Sequence, residues 1–198
     1  MKAAFDKIAL GITNDEVALG SHLIHLWKTP EEFECGVRFL QLGIADESQY
    51  CVLFGHNEAN QRVLEILRRT SLDLDRVLAG GRLVIFRRDS SAPTTLETFE
   101  SAFSAAIQKG ATAIRLLGNV GMGQDPLPGR GADEINELET GTEALALRYP
   151  CVIVCMYDVN TVSGHLLLNA GFGTHRLTVW GDSVLQNQYC KASRDAGA

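Results

Sequence analysis

The pair Lys28-Thr29 follows an apolar segment and precedes Pro30, which is where a phosphate-binding loop would stand between a strand and a helix. Such a loop needs glycines that expose backbone N–H groups, a lysine for the β- and γ-phosphates and a hydroxyl for Mg²⁺. Only the lysine and the hydroxyl are present. Pro30 suits the first helical position, and Thr29 with Glu32 predicts a capping box. We therefore expect the carboxylates of Glu31 and Glu32 to occupy the helix terminus that would otherwise attract phosphate.

A second element of nucleotide chemistry is missing as well. An aspartate at the end of an apolar strand would hold Mg²⁺, but the run Ala113 to Leu117 is followed by Gly118 and Asn119. Asp158 also ends an apolar run, but a later one. Because ATP hydrolysis needs both elements together, we expect no ATPase activity and assign no catalytic residue.

The stretch "GNVGMG", which begins at Gly118, resembles a dinucleotide-binding fingerprint only loosely. Its glycines are spaced G-x-x-G-x-G, and no helix is predicted directly after it, as that fingerprint requires. We therefore expect a flexible loop. No G-x-S-x-G nucleophile elbow occurs either, which is weak evidence against a hydrolase.

The cysteines and histidines do not form a recognisable metal motif. Cys151 and Cys155 share one face of a predicted strand, whereas His22 and His25 point to opposite faces. Neither pair has zinc spacing, so we assign no metal ligand and expect the two cysteines to be buried as small hydrophobic residues.

The elements that must position these residues alternate along the chain. Short apolar runs predict six strands, at 22–27, 50–55, 82–86, 112–117, 151–156 and 175–180. Helical patterns lie between them, at 30–45, 59–70, 96–108, 133–149 and 163–170. This alternation predicts an α/β fold with a mainly parallel sheet flanked by helices. One long irregular segment, 118–132, is expected to be a loop.

Composition narrows the class of protein. A chain of 198 residues with 45% hydrophobic and 21% charged residues is expected to form a single domain over residues 1–198. No apolar run approaches the ~20 residues of a spanning helix, so we expect no membrane association. The net charge is −6 and the basic residues are scattered, which argues against direct nucleic-acid binding. No export signal is recognisable, so we expect a cytoplasmic protein whose five cysteines are reduced.

Seven segments occur in the order seen in MEDS domains, the sensory domains named after methanogens, methylotrophs and a dichloromethane-responsive regulator. They are "GSHLIHLWKTPEEFECGVRFLQLGI", "CVLFG", "LDLDRVLAGGRLVIF", "KGATAIRLLG", "ELETGTEAL", "CVIVCMYD" and "THRLTVWG". The resemblance extends from Leu19 to Tyr189. It implies a RecA- and KaiC-like core without a functional P-loop. MEDS domains usually accompany a DNA-binding or histidine-kinase module, which this sequence does not show, so the resemblance implies a partner in trans.

The carboxyl ends of parallel strands meet at one edge of a sheet, where α/β proteins place their ligands. We therefore expect Trp27, His56, Glu58, Asn119 and Tyr157 to line a ligand site there. An aromatic pair with amides and a few acids suits a small organic molecule better than a polyphosphate. In this prediction Trp27 and Tyr157 flank one cleft and are partly exposed to it, although Trp27 could equally be a hydrophobic anchor.

Three further candidates come from the resemblance. Arg115 and Glu139 stand where MEDS domains tend to carry arginine and glutamate, and His175 matches the Thr-His pair of the family. These side chains would either bind ligand or pair with one another inside the fold. Relatives often have an acidic residue where this chain has Asn119.

Together these observations favour a non-catalytic cytoplasmic sensory domain that binds a small organic ligand without a cofactor, in signal transduction or transcriptional control. Its partner would be a histidine kinase or a transcription regulator in trans, and the resemblance is compatible with a homo-oligomer. Two alternatives stay open. One is a nucleotide-binding or ATPase-like protein with a rebuilt site, and the other is a ligand-free scaffold that docks a kinase or regulator.

Overall fold

The computed structural model describes residues 6–88, 91–121 and 132–190. The strands within them are β1 (Lys7–Ala9), β2 (Glu16–Ala18), β3 (Ser21–Trp27), β4 (Gln49–Gly55), β5 (Leu83–Arg87), β6 (Ala113–Gly121), β7 (Cys151–Asp158), β8 (Leu177–Trp180) and β9 (Ser183–Gln186). The helices are α1 (Pro30–Ala45), α2 (Asn57–Arg68), α3 (Leu74–Ala79), α4 (Ala92–Gln108), α5 (Ala132–Ala146), α6 (Gly164–Leu166), a π-helical turn (Leu167–Gly171) and α7 (Phe172–Thr174).

Seven of the strands form one sheet with the order β5-β4-β6-β7-β3-β8-β9. All neighbours in it pair in parallel except β9, which runs antiparallel to β8. The strands β1 and β2 form a separate antiparallel pair. The predicted α/β fold with a mainly parallel sheet is therefore confirmed.

Helices cover both faces of this sheet. On what we call the first face, α1, α2 and α3 pack against side chains that include Leu23, Trp27 and Met156. On the second face, α4, α5 and the segment from α6 to α7 pack against side chains that include Ile24 and Leu26. All eight residues of β7 are buried, because β7 has a strand on each side and helices above and below. This explains its uninterrupted apolar sequence.

The start of α1 follows the sequence closely. The predicted bounds of this helix agree with the structure, and Thr29 and Glu32 form the predicted capping box. Two glycines then let α1 lie close to the sheet: a Cβ atom at Gly36 would stand 2.6 Å from Met156 Cε, and one at Gly43 would stand 2.6 Å from Arg115 Cδ.

Several elements differ from the prediction. The short elements β1, β2, α3 and β9 were not predicted, since three to six residues are too few to show a period. The helix predicted at 163–170 is divided into α6, the π-helical turn and α7. The strand β6 continues through Gly121, so the start of the predicted loop is strand, while residues 122–131 lie outside the described residues. Among the described residues, no helix is both long and apolar enough to cross a membrane.

Candidate functional site

Five polar side chains meet inside the second face of the sheet, and we call them the buried polar cluster. They come from β3 (His22), α5 (Glu139), β7 (Cys155 and Tyr157) and the residue directly after α7 (His175). Each is at most 3% exposed to solvent. Buried polar groups are costly unless they are paired, so their convergence at one point needs a specific arrangement of partners.

The carboxylate of Glu139 is the centre of the cluster. Tyr157 Oη donates a hydrogen bond of 2.5 Å to Glu139 Oε1, and Cys155 Sγ donates one of 3.2 Å to Oε2. The Nε2 atom of His22 lies 3.3 Å from the same Oε2 atom. Hydrogen bonds to a charged acceptor are the strong ones, so three donors from two strands stabilise this buried carboxylate.

The backbone places these groups through simple periodicities. The register pairs His22 with Ile153 and Ile24 with Cys155, and the two-residue alternation of strands turns His22, Cys155 and Tyr157 toward the same face. On α5, Glu139 and Glu143 are four residues apart and therefore share one side of the helix. That side faces the sheet.

His175 is oriented by the π-helical turn that precedes it. Its Nδ1 atom lies 2.7 Å from the carbonyl oxygen of Gly171 and 3.0 Å from Thr174 Oγ1. The Thr174 hydroxyl itself donates to the carbonyl oxygen of Ala170 at 2.5 Å, so both neighbours of Nδ1 are acceptors. Nδ1 must therefore carry a hydrogen. The other ring nitrogen, Nε2, faces Glu139 Oε2 at 3.5 Å and has no hydrogen-bond partner within the described part of the chain.

A second layer connects the cluster to the surface. The Nδ1 atom of His22 lies 3.4 Å from Glu143 Oε2, and Glu143 Oε1 lies 2.8 Å from Arg176 Nε. The side chain of Arg176 is 47% exposed. A path of charged groups thus runs from solvent through Arg176 and Glu143 to His22.

The environment fixes the protonation of the cluster. Burial by itself would lower the pKa of His22 and raise that of Glu139, but hydrogen bonds and opposite charges reverse both directions. Burial prevails elsewhere: it raises the pKa values of Cys155 and Tyr157 and lowers that of His175. At neutral pH Glu139 is therefore a carboxylate, and its charge favours the protonated form of His22. Because the Cys155 thiol stays protonated, it is not activated as a nucleophile.

An open groove of about 510 Å³ reaches the cluster at the amino-terminal ends of β3 and β8. Its lining includes Gly20, Ser21, His22, Leu147, Arg176 and Leu177. His22 belongs to both the groove and the cluster. The groove lies at the opposite edge of the sheet from the carboxyl-terminal edge where we predicted the ligand site.

The structure brings together three of the predicted site residues, Glu139, Tyr157 and His175. The prediction that Trp27 and Tyr157 flank one cleft was wrong. Trp27 is 5% exposed and packs edge-on against Phe33 on the first face, whereas Tyr157 is fully buried on the second face. The reason is the alternation of strand side chains: Trp27 lies beside Asp158 in the register, and Tyr157 lies beside Leu26.

Arg115 does not pair with Glu139, which was one of the two roles predicted for it. It donates hydrogen bonds to Gln49 Oε1 at 2.7 Å, to the Phe39 carbonyl oxygen at 3.3 Å and to the Ala9 carbonyl oxygen at 2.9 Å. Its guanidinium group also lies over the Phe39 ring. Arg115 therefore joins β1, α1, β4 and β6 on the first face.

The remaining predicted residues stand apart from the cluster. Asn119 is fully buried at the carboxyl end of β6, and neither of its side-chain polar atoms has a partner within the described residues. His56 is the residue before α2, where its side chain makes no capping bond, and burial followed by the charge of Arg88 lowers its pKa. Glu58 is exposed in the first turn of α2. A ligand role for these three residues stays a prediction.

Sequence reasoning did not assign His22, Glu143, Cys155 or Arg176 to a site. They stand far apart in the sequence, so no spacing motif connects them; His22 and Cys155 are 133 residues apart. One signal was available: a histidine in an otherwise apolar strand, "SHLIHLW", must find a polar partner if that strand is central.

Comparisons with known proteins agree with this architecture. The family described as MEDS, "MEthanogen/methylotroph, DcmR Sensory domain", matches residues 21–176. No curated protein sequence matches the chain. Among solved structures, the chain is similar to a KaiC-like protein from the hyperthermophilic archaeon Pyrococcus horikoshii OT3, with a TM-score of 0.64 and 10% identity over 88% of this chain and 79% of that chain. At this identity the likeness shows the fold alone, which is KaiC- and RecA-like. Because the MEDS match spans most of its length, the chain belongs to the MEDS family of sensory domains.

Proposed function

We propose that the chain is a non-catalytic sensory domain that binds a small organic ligand in signal transduction or transcriptional control. The observation that carries this proposal is the groove of about 510 Å³ that ends on His22, a member of the buried polar cluster. Membership of the MEDS family supports a sensory role in general.

The groove has the size and lining of a small-molecule site. Ligand pockets commonly have volumes of ~300–1,000 Å³ and combine apolar walls with a few polar groups. Here Leu147 and Leu177 supply apolar surface, while Ser21 and Arg176 supply hydrogen-bonding groups. A ligand that contacts Arg176 would change the Arg176–Glu143–His22 path and so alter contacts between β3, α5 and β7.

Two observations support a role without catalysis. The Cys155 thiol and the Tyr157 phenol are protonated, because burial raises both pKa values. At the start of α1, the Glu32 carboxylate accepts the backbone N–H groups of Lys28 and Thr29, which a phosphate would otherwise use.

We infer further that the chain forms one cytoplasmic domain over residues 1–198 and signals to a histidine kinase or a transcription regulator in trans. Exposed apolar side chains support such docking or a homo-oligomer: Trp180 is 60% exposed, Leu185 52% and Tyr189 73%.

Affinity purification from the native cell, with Trp180→Ser as the comparison, tests whether a partner docks on this surface. A kinase or regulator should be recovered with the unchanged chain and depleted with the variant.

Calorimetric titration tests the ligand site. We would titrate methanol, methylamine and dichloromethane, which the name of the family suggests, into the wild-type chain and into Leu147→Trp. Leu147 lines the groove and is 54% exposed, so an indole there should obstruct the groove without disturbing the core. Leu168→Trp, at a leucine that is 67% exposed and outside the groove lining, is the matched control.

The expected result is binding by the wild type and by Leu168→Trp, with an affinity at least tenfold weaker in Leu147→Trp. Equal affinities in all three proteins would contradict the groove as the site. Absence of any bound organic molecule in native mass spectra of protein from its own host, together with no binding of the three probes, would contradict the sensory proposal itself.

A further inference from the structure

Four potential metal ligands in the buried polar cluster converge on one point: His22 Nε2, Glu139 Oε2, Cys155 Sγ and His175 Nε2. All four atoms lie within 4.8 Å of one another. We propose that these four residues bind one zinc ion in tetrahedral coordination. This inference goes beyond the proposed function and does not depend on whether an organic ligand binds.

The distances between the four atoms fit the proposed coordination. Zinc bonds of about 2.0–2.3 Å in a tetrahedron require separations of about 3.3–3.6 Å between neighbouring ligand atoms. Glu139 Oε2 lies 3.3 Å from His22 Nε2, 3.2 Å from Cys155 Sγ and 3.5 Å from His175 Nε2. His22 Nε2 lies 3.3 Å from Cys155 Sγ. Four separations thus match the edges of a zinc tetrahedron within a few tenths of an ångström.

The orientation of His175 points to a cation at this place. Its Nδ1 atom carries the hydrogen, because the Gly171 carbonyl oxygen and Thr174 Oγ1 both act as acceptors toward it. In the neutral ring, Nε2 then presents a lone pair to the Glu139 carboxylate at 3.5 Å, with no donor for it among the described residues. Two buried lone pairs that face each other are unfavourable unless a cation lies between them.

Partners outside the four residues orient them as in known zinc sites. Metal-bound histidines usually donate their other ring N–H group to a carboxylate or a carbonyl oxygen. His175 Nδ1 faces the Gly171 carbonyl oxygen, and His22 Nδ1 faces Glu143 Oε2 at 3.4 Å. Tyr157 Oη holds the remaining oxygen of Glu139, which leaves Oε2 for the metal.

Charge and ligand type favour zinc. One thiolate, one carboxylate and two neutral imidazoles would balance the charge of Zn²⁺, and the outer Glu143 is balanced by Arg176. Binding would release the proton of the Cys155 thiol to solvent through the groove, together with the Nε2 proton of His22 when that ring is an imidazolium. A thiolate with two imidazoles disfavours Mg²⁺ and Ca²⁺, which prefer oxygen ligands. Four protein ligands leave no open position, so the ion would clamp β3, α5, β7 and the segment before β8.

Metal analysis and cobalt substitution test the proposal directly. Protein purified without chelator should contain about one zinc ion per chain, as measured by inductively coupled plasma mass spectrometry. After removal of the metal with dipicolinate, addition of Co²⁺ should give the visible absorption of tetrahedral cobalt and a near-ultraviolet thiolate-to-cobalt band. Bound Co²⁺ should also raise the melting temperature, since the ion binds the folded state. If the protein contains no zinc and shows none of these cobalt signals, the proposal is wrong.

Two cysteine variants locate the thiolate. Cys155→Ser should lose the thiolate-to-cobalt band and bind Co²⁺ at least tenfold more weakly. Cys151→Ser is the matched control, because Cys151 lies on the same strand and face, is equally buried and contacts the carbonyl oxygen of Ala146 instead. Retention of the band in Cys155→Ser, or its loss in Cys151→Ser alone, would overturn the assignment.

A measurement on the wild type keeps the test decisive if Cys155→Ser does not fold. X-ray absorption of the zinc-loaded chain should show one sulfur at about 2.3 Å and three nitrogen or oxygen atoms at about 2.0–2.1 Å. A first shell without sulfur, or with several, would reject this ligand set.

Discussion

Thr29 and Glu32 exchange hydrogen bonds across the start of α1. The Glu32 N–H group donates to Thr29 Oγ1 at 3.3 Å, and Glu32 Oε2 accepts from the Thr29 N–H group at 3.1 Å. The same carboxylate oxygen accepts from the Lys28 N–H group at 2.6 Å. A carboxylate of the protein itself therefore binds the N–H groups at the start of α1, a kind of site that can otherwise hold phosphate.

We expect that millimolar Mg-ATP will neither be hydrolysed nor raise the melting temperature. A ligand that binds only the folded state must stabilise it by mass action. Here the backbone N–H groups of Lys28 and Thr29, which could hold phosphate, already donate to the Glu32 carboxylate. Differential scanning fluorimetry with and without Mg-ATP, alongside a phosphate-release assay, measures both effects. A clear upward shift would mean that a rebuilt nucleotide site exists.

Thr29→Ala should lower the free energy of unfolding by about 1 kcal/mol, because the N-cap acceptor is lost. Denaturant titration measures this change. Thr140→Ala is the control, since Thr140 is exposed within α5 and its hydroxyl only bonds back to the Asn136 carbonyl oxygen. An unchanged midpoint for Thr29→Ala would show that the cap contributes nothing to stability.

Tyr157→Phe should destabilise the metal-free protein by about 1.5–3 kcal/mol. The substitution keeps the ring but removes a hydrogen bond to the charged, buried Glu139. Tyr149→Phe removes a bond to the Ser104 hydroxyl that is only partly buried, and it should cost about 0.5–1.5 kcal/mol. Chemical unfolding in the presence of a chelator compares the two variants. Equal losses would argue against a charged carboxylate at Glu139.

Stability should fall as the pH is lowered below the ordinary histidine pKa of 6.5, in part because of His25. Burial lowers the pKa of this residue in the folded state, so in this range the unfolded chain binds more protons than the folded one. The contribution is fully present above pH 6.5 and is lost toward the lower folded pKa. It amounts to at most ~1.4 kcal/mol per pH unit for one proton.

This pH dependence is measured by urea unfolding at several pH values between 7 and 5, with chelator present. His25→Gln should reduce the slope of unfolding free energy against pH, because glutamine does not titrate. Its amide can still donate to the Glu32 carbonyl oxygen, as His25 Nε2 does at 3.1 Å. His165→Gln, at an exposed position, controls for the loss of a histidine. A slope that His25→Gln leaves unchanged would assign the pH dependence to other groups.

Local signals in the sequence were sufficient for the helix start at Thr29 and for the buried central strands. Apolar runs identified β3 and β7 because each is covered on both faces, and the spacing of His22 and His25 correctly placed them on opposite faces. The divided helix before His175 was not predicted, since a π-helical turn follows from tertiary contacts rather than from periodicity.

The site depends on information that a single sequence does not contain. Whether Trp27 and Tyr157 share a face depends on the register between β3 and β7, and a shift of one residue reverses it. His22, Glu139, Cys155 and His175 meet only because of the order in which the strands are placed in the sheet. No local pattern of these residues indicates that order.

The position of β3 in the sheet also determines when this strand can pair during synthesis on the ribosome. This strand is the first of the seven to be synthesised, yet its neighbours in the described sheet are β7, which begins at Cys151, and β8, which begins at Leu177. While more than a hundred residues are added, the apolar segment Ser21–Trp27 has no strand partner. During that interval its backbone N–H and C=O groups and apolar side chains are available to chaperones or to other nascent chains.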